Sequence, residues 1–140
     1  MQVEINDVQG KALSYLIAKA IWPEKEFPAW WFIDRPDGCY LPSLDEDTGN
    51  PVDGFYPQSD WGLSGPFLSK HDIFPFKCSG NDYGAHLPEY VEHAGKQVRF
   101  ETFGPSPLVA AWRCFVASRL GQYSGCCIMV EVPDEFSEES

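Results

Sequence analysis

The stretch that decides the fold is Gly104-Pro105-Ser106-Pro107-Leu108-Val109-Ala110-Ala111-Trp112-Arg113-Cys114-Phe115-Val116-Ala117-Ser118-Arg119-Leu120-Gly121. Its two ends are written as helix boundaries. Ser106 is a side chain that accepts from the first-turn amides, and Pro107 stands at the first helical position, where its missing N–H costs nothing. Gly121 reads as a left-handed stop. Between these, Leu108, Val109, Ala111, Trp112, Phe115, Val116 and Leu120 cover most of the helix circumference. The remaining stripe (Ser106, Ala110, Arg113, Ala117) carries small residues and one charge, and is expected to face away. A helix apolar on so many sides is the central post of a core.

Working outward, Gln2 to Ile5 alternate as a short strand, and Asn6 and Asp7 are expected to cap a helix from about Val8 to Ile21. Its apolar face is Val8, Ala12, Leu13, Leu16, Ile17 and Ala20, and Pro23 ends it. Ala29 to Ile33 reads as a strand. Arg35 to Gly54, with Asp45-Glu46-Asp47 in its middle, reads as a long acidic turn or a hairpin tip. Phe55 to Trp61 is expected to be an irregular loop held by its rings, and Gly65-Pro66 a turn into a short strand at Phe67–Lys70. His71 to Pro88 reads as mostly loop. Gln97 to Phe103 alternates as a strand, and Cys126 to Val132 forms another, closed by Pro133. The tail from Asp134 to Ser140 is acidic and expected to fray. These elements specify one α+β domain over residues 1–133, with a small, largely antiparallel sheet packed against two helices and a loop-rich aromatic middle.

Composition narrows the function. The chain has 140 residues, 44% of them apolar and 15% aromatic, with twelve glycines and twelve prolines. That is enough for one core without staples. A formal charge of −11 repels nucleic-acid backbone and anionic membrane, so neither is an expected partner. There is no basic, apolar leader at Met1-Gln2-Val3-Glu4-Ile5 and no span-length apolar run. The five cysteines therefore read as reduced thiols in a cytosol.

Three blocks resemble one family. The first is Gly10-Lys11-Ala12-Leu13 running through Ala18-Lys19-Ala20. The second is Pro57, Ser59-Asp60-Trp61 and Gly65-Pro66. The third is Gly104 through Gly121 followed by Glu131-Val132-Pro133-Asp134-Glu135. In this order they resemble the phage NinX-like family, encoded in the nin region of lambdoid phages and prophages. The chain departs from that pattern in a longer acidic segment at Arg35–Gly54 and in Gln122 to Met129, inserted before the terminal motif. The resemblance implies a phage or prophage accessory protein in the cytoplasm of the bacterial host. It carries no established biochemical role and no catalytic residues.

The motifs that resemble chemistry lack its geometry. Asp47-Thr48-Gly49 matches an aspartic-protease triplet, but it follows Leu44-Asp45-Glu46 and precedes Asn50-Pro51, a solvated turn rather than the end of an apolar strand. Asp45, Asp47 and Asn50 fail the calcium-loop spacing, with Tyr56 where a bidentate glutamate belongs. Cys39, His71, Cys78, His86 and His93 contain no paired-cysteine spacing of a zinc site. No metal, cofactor or catalytic group is assigned, and an enzyme is not expected.

The expected function is a non-enzymatic interaction protein acting on a host or phage protein, partly through its acidic surface. The alternative is a small-ligand binder, for a nucleotide-like molecule, using the aromatic loop around Trp61. In either case the candidate binding residues are Tyr56, Ser59, Asp60 and Trp61, with Arg113 contributing. The plainer account of the same residues is that Trp61 ties its loop to the central helix and Arg113 pairs with one of many acids.

Overall fold

A computed structural model describes residues 1–24, 26, 41–42, 51–52, 57–58, 61–78, 80, 82–87, 91–93, 95–98, 101–124 and 127–139. Strand β1 (Gln2–Glu4) leads through a 3-10 turn (Ile5–Asp7) into helix α1 (Gly10–Ile21). Short strands β2 (Leu41–Pro42) and β3 (Pro51–Val52) pair antiparallel, and the acidic residues 43–50 between them lie outside the described residues. Helix α2 (Trp61–Lys70) is followed by β4 (Phe76–Lys77), β5 (Tyr83–His86), β6 (Val91–His93), β7 (Lys96–Val98) and β8 (Glu101–Gly104). Helix α3 (Pro107–Leu120), β9 (Gln122–Ser124), β10 (Cys127–Glu131) and a 3-10 segment (Asp134–Glu139) complete the order. All the described strand pairs are antiparallel. One three-stranded sheet runs β1-β10-β9, another β4-β5-β8, and β6 pairs with β7. The architecture is α+β.

Helix α3 is the post. It packs against α1, α2, β5, β8 and β10, and Leu108 through Ala117 are buried with the sole exception of Val109. Ser106 Oγ accepts from the Val109 amide at 3.2 Å, the expected cap. The stripe expected to face outward does not: Ala110 and Ala117 are fully buried. Their small side chains let neighbours approach. A Cβ on Gly104 would stand 2.9 Å from the Ala110 nitrogen, and the buried Thr102 hydroxyl donates to the Ala110 carbonyl at 2.8 Å. The stripe is where the sheet comes closest.

Gly121 also differs from expectation. Its φ of −80° and ψ of 153° are extended, not left-handed. Glycine is required there by space, because a Cβ would lie 2.6 Å from the Ala117 carbonyl oxygen and 2.7 Å from Ile128 Cγ2. Gly121→Ala is therefore expected to cost about 1–3 kcal/mol, as overpacking does. Urea unfolding followed by circular dichroism measures it, and an unchanged midpoint would refute the packing account.

Helix α1 starts later than predicted. Asn6 and Asp7 lie in the 3-10 turn, and the N-cap position is Gln9, whose side chain makes no capping bond. Asn6 has another use: its Oδ1 accepts from the Phe103 amide at 2.9 Å.

The largest correction is α2. The stretch expected to be loop, turn and strand is a helix despite Pro66 inside it. Proline leaves the Gly62 carbonyl without its i+4 donor, but Gly62 is exposed, so water can meet it. Tertiary packing supplies what propensity withholds. Leu68 is buried, and the Phe67 ring stacks on Trp112 with centroids 5.5 Å apart. The helix closes in a Schellman-type turn, with Ile73 N–H donating to Leu68 O at 3.0 Å and Asp72 in the left-handed position at φ 58°.

The ends of the chain meet. Val3 pairs with Val130, and the Met1 amine donates to Glu131 Oε1 at 2.8 Å and to the Val132 carbonyl at 2.8 Å. The inserted residues Gln122 to Met129 are explained by the β9–β10 pairing, in which Gln122 faces Met129. The tail expected to fray continues as the second 3-10 segment, and Phe136 is buried with its ring 5.3 Å from that of Tyr15. The predicted strand at Ala29–Ile33 lies outside the described residues.

Candidate functional site

Of the five predicted site residues, Tyr56, Ser59 and Asp60 lie outside the described residues. Trp61 and Arg113 are described, and the structure gives them different surroundings. Trp61 opens α2 and is 53% exposed. It does not tie its loop to the central helix. That work is done by Trp112, whose Nε1–H is shared between the Pro57 carbonyl at 2.8 Å and Ser64 Oγ at 3.0 Å. Ser64 Oγ donates in turn to the Pro57 carbonyl at 2.7 Å. The side-chain Nε2 of Gln58 donates to the Gly10 carbonyl and to Ser14 Oγ, both at 2.8 Å. The backbone before α2 is thus fastened to α3 and α1, and Trp61 is left facing solvent.

Arg113 is only 5% exposed. Its Nε and Nη2 donate to the Val8 carbonyl at 3.0 and 2.8 Å, and Nη1 donates to the Phe103 carbonyl at 2.6 Å. Burial pushes the guanidinium below its ordinary value, with Asp7 and Glu4 opposing. Neither the ligand-anchor nor the ion-pair reading describes it. Arg113 is a structural clamp that fastens the 3-10 turn and β8 to α3.

That clamp supports a surface which inspection of the sequence missed. Phe103 has its amide taken by Asn6 and its carbonyl by Arg113, so the outer edge of β8 is satisfied by side chains. Across the sheet, Phe103 faces Gly84 and Gly84 faces Phe76. These three share one side. Ala85 and Thr102 share the other and are fully buried. Phe103 is 41% exposed and Phe76 39%. Phe74, two residues before Phe76, is 59% exposed, while Ile73 just before it is buried. His86 faces the exposed Glu101 on the same side, and its ring lies 5.4 Å from that of Phe76. The Phe76 ring lies over Gly84, where a Cβ would stand 2.8 Å from its Cζ.

The other chemistry-bearing residues are placed without a constellation. His71 is half-buried between the rings of Phe67, at 4.6 Å, and Phe115, at 5.2 Å. Its burial, with Arg119 and Lys70, holds the imidazole below its ordinary value, and Asp72 opposes. Among the described residues, no three histidine, cysteine or acidic side chains are grouped to hold a metal ion. Cys78, Cys114 and Cys127 are in no disulfide, while Cys39 and Cys126 lie outside the described residues. Burial pushes the Cys114 thiol up to about 12, which leaves it protonated and unreactive at neutral pH. Iodoacetamide at pH 8 is therefore expected to label the half-exposed Cys78 in the native protein and to spare Cys114 until denaturant is added. Peptide mass mapping reads this directly, and native labelling of Cys114 would contradict it.

The sequence pattern of the family described as "Bacteriophage P22, NinX" matches residues 4–119. The chain belongs to that NinX family. The match takes in α1, α2, the β4-β5-β8 sheet and all but the last residue of α3. It stops before β9, so the valine-proline-acidic ending at Glu131–Glu135 is outside the matched span. A comparison with curated proteins finds no match. No described helix of this NinX-family chain is long and apolar enough to cross a membrane.

Proposed function

We propose that this NinX-family phage accessory protein acts by binding a host or phage protein and performs no catalysis itself. One observation carries the reading. Large aromatic side chains face outward from backbone that buried polar groups hold in place: Phe103 between Asn6 and Arg113, and Trp61 just beyond the Pro57–Ser64–Trp112 cluster. Single exposed aromatic residues need no explanation, but Phe76 and Phe103 share one sheet face, and a contiguous apolar patch marks an interaction site. Rigid aromatic groups lose little conformational freedom on contact, and for this reason they recur at interfaces. The charge of −11 favours a basic partner and speeds encounter with it.

The test is affinity capture with the full chain from phage-infected host cells, followed by reconstitution with the captured protein. The expected result is one stoichiometric complex whose affinity falls as salt rises. A stabilising thermal shift with nucleotides, and no saturable protein partner, would favour the Trp61 ligand site and overturn this reading.

A further inference from the structure

We propose that the outer face of the β4-β5-β8 sheet docks a cationic, apolar segment of the partner protein. An aliphatic or aromatic side chain of that segment lies against the exposed rings of Phe76 and Phe103, and flanking lysines or arginines reach the carboxylates at the ends of the face. The proposal rests on the interaction reading above and names its surface and partner chemistry.

The face is laid out by strand register. Phe76, Gly84 and Phe103 form its middle row, and the absence of a side chain at Gly84 lets the Phe76 ring lie over it, with Phe103 on the far side. Exposed carboxylates stand at both ends. Glu101 faces His86 at one, and Asp82, which continues the β5 alternation, stands at the hairpin at the other. Exposed Asp7 adds a third, next to the Asn6 side chain that holds Phe103.

Charge decides the occupant. A second copy of the chain would bring another −11 against this face, and like charges at an interface oppose association. Phosphate-bearing partners are opposed on the same ground. A segment with an apolar residue flanked by basic ones satisfies the apolar middle and the acidic ends together, and its cations can also lie over the Phe rings.

The experiment uses the full-length protein labelled with ¹⁵N, a synthetic leucine–lysine repeat peptide as probe, and a leucine–glutamate peptide of equal length as control. Amide shifts are expected to cluster on Gly84, His86, Glu101 and Phe103 with the lysine peptide alone. The double substitution Phe76→Ser and Phe103→Ser leaves net charge unchanged and is expected to weaken binding about tenfold or more. Gly84→Ala pushes aside the free end of the Phe76 ring and crowds Cys78 Sγ, and is expected to weaken binding about threefold in a protein that still folds.

Shifts that map to the 3-10 tail or to Trp61, equal binding of the glutamate peptide, or full binding by the Phe76→Ser, Phe103→Ser variant would overturn the proposal. Self-association that this variant abolishes would overturn it as well, in favour of a second copy. If the natural partner binds that variant as tightly as wild type, this surface is wrong while the interaction reading stands. If no variant binds a partner, the reading itself falls.

Discussion

Replacing Trp112 with alanine is expected to destabilise the protein by about 3–5 kcal/mol, the range for a buried large aromatic. Two losses coincide in this residue. Its fully buried ring stacks on Phe67 and meets Phe115 edge-on with centroids 5.7 Å apart, so truncation opens a cavity where α2 and α3 touch. Its indole N–H also fastens Pro57 and Ser64. Trp112→Phe separates the two, because it keeps most of the packing and removes the donor. Ser64 still donates to the Pro57 carbonyl in that variant, so its expected cost is only about 1–2 kcal/mol. Urea unfolding of the three proteins measures both differences. A cost below about 1 kcal/mol for Trp112→Ala would show that α3 is not the post of the core.

Arg113→Ala is expected to cost about 2–4 kcal/mol. The substitution strips donors from the Val8 and Phe103 carbonyls, and a buried polar group left unmade costs about 1–3 kcal/mol. Relief from keeping a charge buried offsets part of that loss. Arg113→Lys separates charge from geometry. A single ammonium cannot reproduce the fork that reaches Val8 with two nitrogens and Phe103 with a third, so most of the loss is expected to remain. The same unfolding experiment, with amide hydrogen exchange at Phe103 as a local readout, tests this. If lysine restores full stability, the fork is irrelevant and charge alone matters.

The parts of the fold readable in the sequence are those whose information is local. Ser106 and Pro107 mark the start of α3 within consecutive residues, and the apolar periods of α1 and α3 need no knowledge of their neighbours. Errors arose where a distant segment decides. Gly121 looks like a left-handed stop until Ile128 on β10 is seen to occupy the space a Cβ would need. Helix α2 carries Gly62, Gly65 and Pro66, all poor helix formers, and it exists because Ser64, Phe67 and Leu68 reach the core. That i, i+3, i+4 spacing was the available signal.

The candidate site divides in the same way. Trp61 is a candidate recognition residue in the sequence because its neighbourhood is rich in turn formers, and the structure adds only its exposure. Arg113 was not legible as a clamp, since its acceptors are the backbone carbonyls of Phe103 on β8 and of Val8, which closes the 3-10 turn. The sheet face was invisible because Phe76 and Phe103 meet only through a register that the sequence does not display. The spacing of Phe74 and Phe76, two apart, was the one hint.

The pairing of β1 with β10 has a consequence for the order in which the protein is made. Val3 pairs with Val130, which is made 127 residues later. At about 5–20 residues per second, the first strand waits roughly ten seconds for its mate. During that interval Leu13, Leu16 and Ile17 have no α3 to cover them, because Trp112 and Phe115 are still to come. Helix α1 is therefore without its main cover until α3 has been made, and burial comes late and together. A chain with so non-local a closure is expected to fold slowly for its size and to depend on chaperone cover while it is being translated.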